Sequence, residues 1–443
     1  MKKNGRTALV LMLVAAFALA DHVERAPYIP DSGSLFIRCG TLIDGINDEA
    51  REDQVVAIRF GRIAAVLEGG TDTREAPVLD LTDYTCLPGL IDTHTHLTDR
   101  AGTTRDLSVF FTRGEEEQRR ISRSSAEITL FAGFTTVRNV GAYIGWSARD
   151  LRDRINAGEI AGPRMQVAGF YLTVPGGGGD LLIPGVAEEE IPFRVRMGVA
   201  RGPEAFRRKA QEAVAGGADV LKVIASGAVL AYGGVPGAPE MTEEEIAAVV
   251  EVGRNAGVPV TAHAHGAQSI KDAIRAGVDS IEHASLADDA AIALAAEHDV
   301  AFSMDVYNGD YIDTAGREQG WPEEFLQKNL ETVEAQRQVF TKAHEAGVPI
   351  IYGTDAAVYP HGDNALQFAI MVERGMAPMD AIKAATSVAA HHIGWDDRVG
   401  AVETGRYGDL IAVRGNPLED ITVLEDVEVV IKGGLVFKRP HAP

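Results

Sequence analysis

Cysteine is almost absent. Cys39 and Cys86 are the only two in 443 residues, too few for a disulfide framework or a cysteine-rich zinc module. The sequence leaves open whether they pair. Positive charge is scarce as well: 42 Lys and Arg stand against 64 Asp and Glu, a formal net charge of -22. A phosphate-binding surface needs a positive field, so nucleic acid and anionic membrane are excluded as partners. One local basic pocket stays compatible with that balance. No G-x-G-x-x-G opens a helix, which removes the common dinucleotide cradle. The apolar run at residues 9–20 is too short to span a bilayer, which takes about 20 residues.

What is present is a folded, soluble composition, 46% apolar and 24% charged, with mean hydropathy near zero. Lys2, Lys3 and Arg6 precede the run at 9–20, which ends in a small-x-small pattern at Ala18 and Ala20. That order of features reads as a cleaved signal peptide over 1–20 and predicts an exported, periplasmic or secreted protein. A buried helix is the alternative for this stretch. No membrane association is expected after cleavage.

Residues 34–87 read as short β-strands broken by Gly and Asp, and the texture returns in the last forty residues. A small β domain built from both termini is predicted over 21–87 and 400–443. Between them, 88–399 alternate apolar strands with amphipathic helices such as "EEEIAAVVEVGRNAG" and "AQSIKDAIRAG", each ending at a helix-stopping Gly. Eight such strands predict a (β/α)8 barrel, with a doubly wound open sheet as the alternative. "VPGGGGD" at 174–180 follows a strand without opening a clear helix, and is expected to be a mobile loop.

His94 and His96 end the first barrel strand in "PGLIDTHTHL". Side chains at i and i+2 of a strand share a face, so two imidazoles converge. Asp92, on the same side, is expected to support them. Lys222 lies in "DVLKVIASG", His263 and His265 end "PVTAHAHG", His283 ends "DSIEHAS", and Asp355 ends "PIIYGTDA". In a (β/α)8 barrel all these strand ends open on one face. Singly, each has a plain structural explanation: an ion-paired lysine, a satisfied core histidine, a helix cap. Together they point to a metal site, since imidazole and carboxylate suit a borderline divalent ion.

The motifs "LPGLIDTHTHL", "VLKVIASG", "VTAHAHG", "SIEHAS" and "YGTDA" resemble the amidohydrolase superfamily, in its imidazolonepropionase-like and prolidase-like branch. That branch includes dipeptidases, carboxypeptidases and hydrolases of ochratoxin-type amides. The resemblance covers nearly the whole chain and implies a TIM barrel with a small β-sandwich built from both termini. It also implies two divalent ions, usually zinc. His94, His96 and Asp355 would hold one ion and His263 and His283 the other, with a carboxylated Lys222 bridging both. His265 would line the pocket. Activated water would attack a polarised carbonyl, Asp355 taking its proton and passing it to the leaving amine. Tyr232 resembles a tyrosine that steadies the developing oxyanion, with loop packing as its alternative. His361 and Asn364 follow the eighth strand, where the family shapes its pocket, and Arg138 is either a substrate contact or structural. Relatives carry T-G-G-H-G-D after the third strand; here Gly178 replaces that histidine, so dipeptidase specificity does not transfer directly.

The implied activity is cleavage of a dipeptide or N-acyl amino acid by a homo-oligomeric enzyme. A free substrate carboxylate is expected to be required, held by Arg138, Tyr232, His265 or His361. A cyclic-amide or imidazolone hydrolase and a non-catalytic periplasmic binding protein are the alternatives.

Overall fold

The computed structural model describes residues 34–73 and 77–439; the signal-peptide reading falls outside them. Sixteen strands are described. In the N-terminal segment, β1 is Leu35–Leu42, β2 Arg51–Arg59, β3 Arg62–Glu68 and β4 Val78–Pro88. The central segment contributes β5 (Leu90–Thr95), β6 (Phe134–Asn139), β7 (Arg164–Val167), β8 (Tyr171–Leu172), β9 (Leu221–Ile224), β10 (Val260–Gly266), β11 (Ser280–Leu286), β12 (Ala301–Ser303) and β13 (Ile350–Ile351). The chain closes with β14 (Leu410–Val413), β15 (Val429–Lys432) and β16 (Leu435–Lys438).

The central strands are parallel and alternate with helices, forming the (β/α)8 barrel. β5 and β6 are buried at every position, as expected for strands covered on both faces. Two hydrogen-bonded sheets make up the barrel, β5-β6-β7 and β13-β12-β11-β10-β9-β8. The seam lies within the third barrel strand. β7 pairs with β6 and β8 with β9, and Gly169 between them takes a φ of 79°, a backbone region that favours glycine. Closure of the first strand on the eighth runs through Thr93 N to Tyr352 O (2.8 Å), Asp355 N to His94 O (2.7 Å) and His96 N to Ala356 O (3.0 Å). Those bonds tie the H-x-H motif directly to Asp355.

Helix ends follow local chemistry. The helix Glu243–Ala256 begins in a capping box, Thr242 accepting from Glu245 N. It ends at Gly257 with a φ of 67°. No helix among the described residues is long and apolar enough to cross a membrane.

The two ends of the chain share one seven-stranded mixed sheet, ordered β16-β15-β14-β4-β1-β2-β3. β14 pairs antiparallel with β4, directly before β5 enters the barrel. Alternation in β1 sends Ile37 and Cys39 to one apolar cluster and Phe36 to another, smaller one on the opposite face, formed with β2 and β3. Cys39 and Cys86 form a disulfide across 47 residues of chain. Closing a loop of that length restricts the unfolded chain, so Cys39→Ser is expected to lower stability by about 2–4 kcal/mol in denaturant unfolding. Unchanged stability would mean that the bond adds nothing to this sheet.

Candidate metal centre

The barrel strands deliver His94, His96, Lys222, His263, His265, His283 and Asp355 to one cavity at their C-terminal ends. His94 Nε2 and His96 Nε2 lie 3.4 and 3.1 Å from the same Asp355 oxygen, Oδ1. The rings of His94 and His263 stand 4.9 and 4.5 Å from that of His283. Two trios hold donor atoms within 4.8 Å of one another: His94, His283 and Asp355, and His263, His265 and His283. The second trio gives His265 a donor's position, where the family pattern makes it a pocket residue.

Each imidazole is oriented by an oxygen on its far side, the arrangement that aims the other nitrogen inward. His283 Nδ1 lies 3.0 Å from Asp305 Oδ1, His265 Nδ1 2.9 Å from the Ser285 hydroxyl, and His96 Nδ1 donates to Gly141 O at 3.0 Å. The Gly227 backbone holds His263. His94 Nδ1 lies 2.8 Å from Glu282 Oε2, a polar contact not aligned as a hydrogen bond. Asp305 is itself fixed by Gln336 (2.6 Å) and Asn308 (2.9 Å), and Asn308 also donates to Asp355 Oδ2 at 3.2 Å.

Burial sets the protonation states. It lowers His94 to about 4 and His265 to about 3, leaving neutral imidazoles with free lone pairs at neutral pH. It pulls Lys222 down to about 8 against the opposing pull of Glu282. For Glu282, burial is outweighed by Arg138 and Lys222, which hold the carboxyl well below its usual range. His283 and Asp355 adopt left-handed backbone conformations, with φ of 71° and 57°. Such geometry costs of order 1–3 kcal/mol in a non-glycine residue and concentrates at functional sites.

Four expected substrate or catalytic residues stand elsewhere. Arg138 is 1% exposed and spends its guanidinium inside the barrel, on Thr93 O (2.7 Å), Ser280 (3.1 Å) and Glu282 (2.7 Å). It balances Glu282, and its burial inside the barrel keeps it out of the cavity lining. Asn364 is fully buried and donates to Asp92 Oδ2 at 2.8 Å. Asp92 also receives the Thr354 hydroxyl at 2.5 Å, so Asn364 braces the first strand against the eighth. His361 packs against Asp99 O at 3.0 Å. Tyr232 packs at a tilt against Phe325, ring centres 4.8 Å apart, in an apolar cluster with Leu107 and Phe110 of the cavity wall. None of the four lines the cavity.

The glycine-rich loop differs from expectation too. Gly178 N donates to Glu240 at 2.8 Å, Gly176 N to Asp180 at 2.9 Å, and Asp180 is clasped by Arg196 through two 2.7 Å bonds. A Cβ on Gly178 would meet Ala228 Cβ at 2.9 Å. The missing side chain lets this loop pack close and hydrogen-bond in place.

Sequence reading passed over Glu282, Asp305, Tyr143 and Tyr171. The usable signal was position: Asp305 in "VAFSMDV" and Tyr171 in "VAGFYL" sit at strand ends, like the residues that were singled out.

Comparison with known proteins agrees with this geometry. Residues 85–436 match the amidohydrolase family. An ochratoxinase of Aspergillus niger is 31% identical, with 96% of this chain and 91% of the relative covered. A crystal structure of a Xaa-Pro dipeptidase with bound methionine in the active site superposes with a TM-score of 0.85 at 36% identity, covering 92% of this chain and all of the other. The crystal structure of A. niger ochratoxinase superposes at 0.81 with 27% identity, over 93% of this chain and 96% of that one. With this barrel, this cluster of strand-end donors and these relatives, the chain belongs to the amidohydrolase family, enzymes that hydrolyse carbon–nitrogen bonds of the amide type.

Proposed function

We propose that this chain is an exported, binuclear metal-dependent hydrolase that cleaves the amide bond of an N-acyl amino acid or dipeptide. The observation that carries the reading is the convergence of His94, His96, Lys222, His263, His283 and Asp355 on one cavity. The donor set fits divalent ions on its own chemistry. Lys222 Nζ and His263 Nε2 are buried polar atoms without a hydrogen-bond partner among the described residues, a costly state unless another group satisfies them. His94, His96 and Asp355 would hold one ion, His263 and His283 the other, and a carboxylated Lys222 both.

Bound divalent ions would supply a Lewis acid for the scissile carbonyl and make water acidic near neutral pH. The chain's own residues do the rest. With its pKa lowered to about 8, Lys222 keeps a sizeable neutral fraction, the form whose nitrogen adds to carbon dioxide and releases a proton. Asp355 Oδ1 faces His94 and His96 and Oδ2 accepts from Asn308, contacts that fix the carboxylate which would take a proton from water and return it to the departing nitrogen. The Asp305–His283 pair keeps that imidazole fixed during transfer.

Export is supported by the basic, apolar and small-residue order of the first twenty residues and by the Cys39–Cys86 bond, a feature of oxidising compartments. The test is metal analysis of active protein together with a mass-spectrometric screen against dipeptides, N-acyl amino acids and cyclic amides. Two ions per chain and release of a free amino acid are expected. One ion or fewer at full activity would end the binuclear assignment, and turnover of cyclic amides alone would end the substrate assignment.

A further inference from the structure

Beside the imidazole floor, the cavity wall carries apolar patches among polar residues such as Thr98, Thr104 and Asn329. One part is Leu107, Phe110 and Tyr143, with Tyr143 packed against Phe110 at 4.9 Å and against Tyr171 at 5.1 Å between ring centres. A second part is Ile312 and Val358, from a separate apolar cluster. Leu230 touches both clusters and lines the cavity between them. An amide placed on the floor therefore finds apolar surface for more than one substituent.

Away from the metal-binding floor, this space offers an anion no side-chain cation among the described residues. Among the described residues the lining holds no arginine, and its single lysine is Lys222, at the floor and 2% exposed. Asp355 and the Asp305–His283 pair belong to the metal-binding floor, and Asp99 is a further carboxylate of the lining. The nearby guanidinium of Arg113 is taken up by Asp99 at 3.1 Å, and that of Arg138 by Glu282. Away from the floor, a substrate carboxylate would meet the neutral hydroxyl of Tyr143, while that of Tyr171 lies 3.3 Å from His96 Nδ1 at the floor. A phenol is uncharged near pH 7. Amidation would break an ion pair outright, at about tenfold or more in rate, whereas a phenol hydroxyl can donate to the carboxamide oxygen in place of the carboxylate and so loses less.

We propose that this chain has a second activity, the hydrolysis of amides whose leaving amine carries no carboxylate, with apolar groups on both sides of the scissile bond. The proposal rests on the amide-hydrolase reading above and replaces the expectation that a free carboxylate is required. Water adds across the C–N bond: the acyl carbon gains the oxygen, the nitrogen gains the proton, and a carboxylic acid and a neutral amine leave.

The test uses zinc-loaded full-length protein and matched pairs, N-acylphenylalanine against N-acylphenylalaninamide, with benzoyl, phenylacetyl and octanoyl as acyl groups. Mass spectrometry follows release of phenylalanine or phenylalaninamide. Values of kcat/KM for the amide within about tenfold of the acid are expected. A preference for the acid greater than about tenfold in every pair overturns this proposal and leaves the amide-hydrolase reading standing. Cleavage of neither member of any pair overturns both.

Discussion

Lys222→Ala is expected to lower kcat/KM by about a thousandfold or more and to reduce bound metal below two ions per chain. The size follows from losing several kcal/mol of charge stabilisation at the reacting carbonyl, at about 1.4 kcal/mol per tenfold. Added short carboxylic acids should restore part of the activity by filling the vacated position. A second readout is independent of turnover. In metal-free protein the folded lysine loses its proton near pH 8, while the unfolded one keeps it to about 10.5. Across that window the unfolded state binds more protons, so stability should rise with pH, and Lys222→Met should abolish that part of the slope. If the alanine variant retained two ions and near-normal rates, Lys222 would be a buried structural lysine and the bridging role would fall.

Asp355→Asn tests the proton carrier. General acid–base contributions run to about 10²–10⁴-fold, and a loss of kcat in that range is expected with KM within a few-fold and metal content largely kept. The substitution suits the backbone, because Asp355 has a φ of 57° and asparagine tolerates the left-handed region well. Asn308 would still have an amide oxygen to bond. Loss of metal in proportion to loss of activity would instead make Asp355 a ligand and nothing more.

How far the site could be read from sequence depended on what kind of fact was asked. His94 and His96 were legible because a strand's two-residue period sends both side chains the same way. The same logic placed Lys222, His263, His283 and Asp355, each within or just after its own apolar strand. Tyr232 resembles the family's tyrosine only in its loop position, and loops after barrel strands pack against whatever neighbours they meet, here Phe325.

By itself, then, the sequence determined the barrel, the terminal β segments and the set of donors at the strand ends, since all three rest on local periodicity and on the common polarity of parallel strands. Only the tertiary structure decided which polar groups stay free for chemistry. Arg138 meets Glu282 across 144 residues and Asn364 meets Asp92 across 272, and those contacts remove both from the substrate's reach. The pairing of Cys39 with Cys86 and the absence of arginine from the described cavity wall belong to the same class of fact. A side chain's availability is fixed by what lies within about 3 Å of it after folding, and the residues that arrive there come from distant parts of the chain.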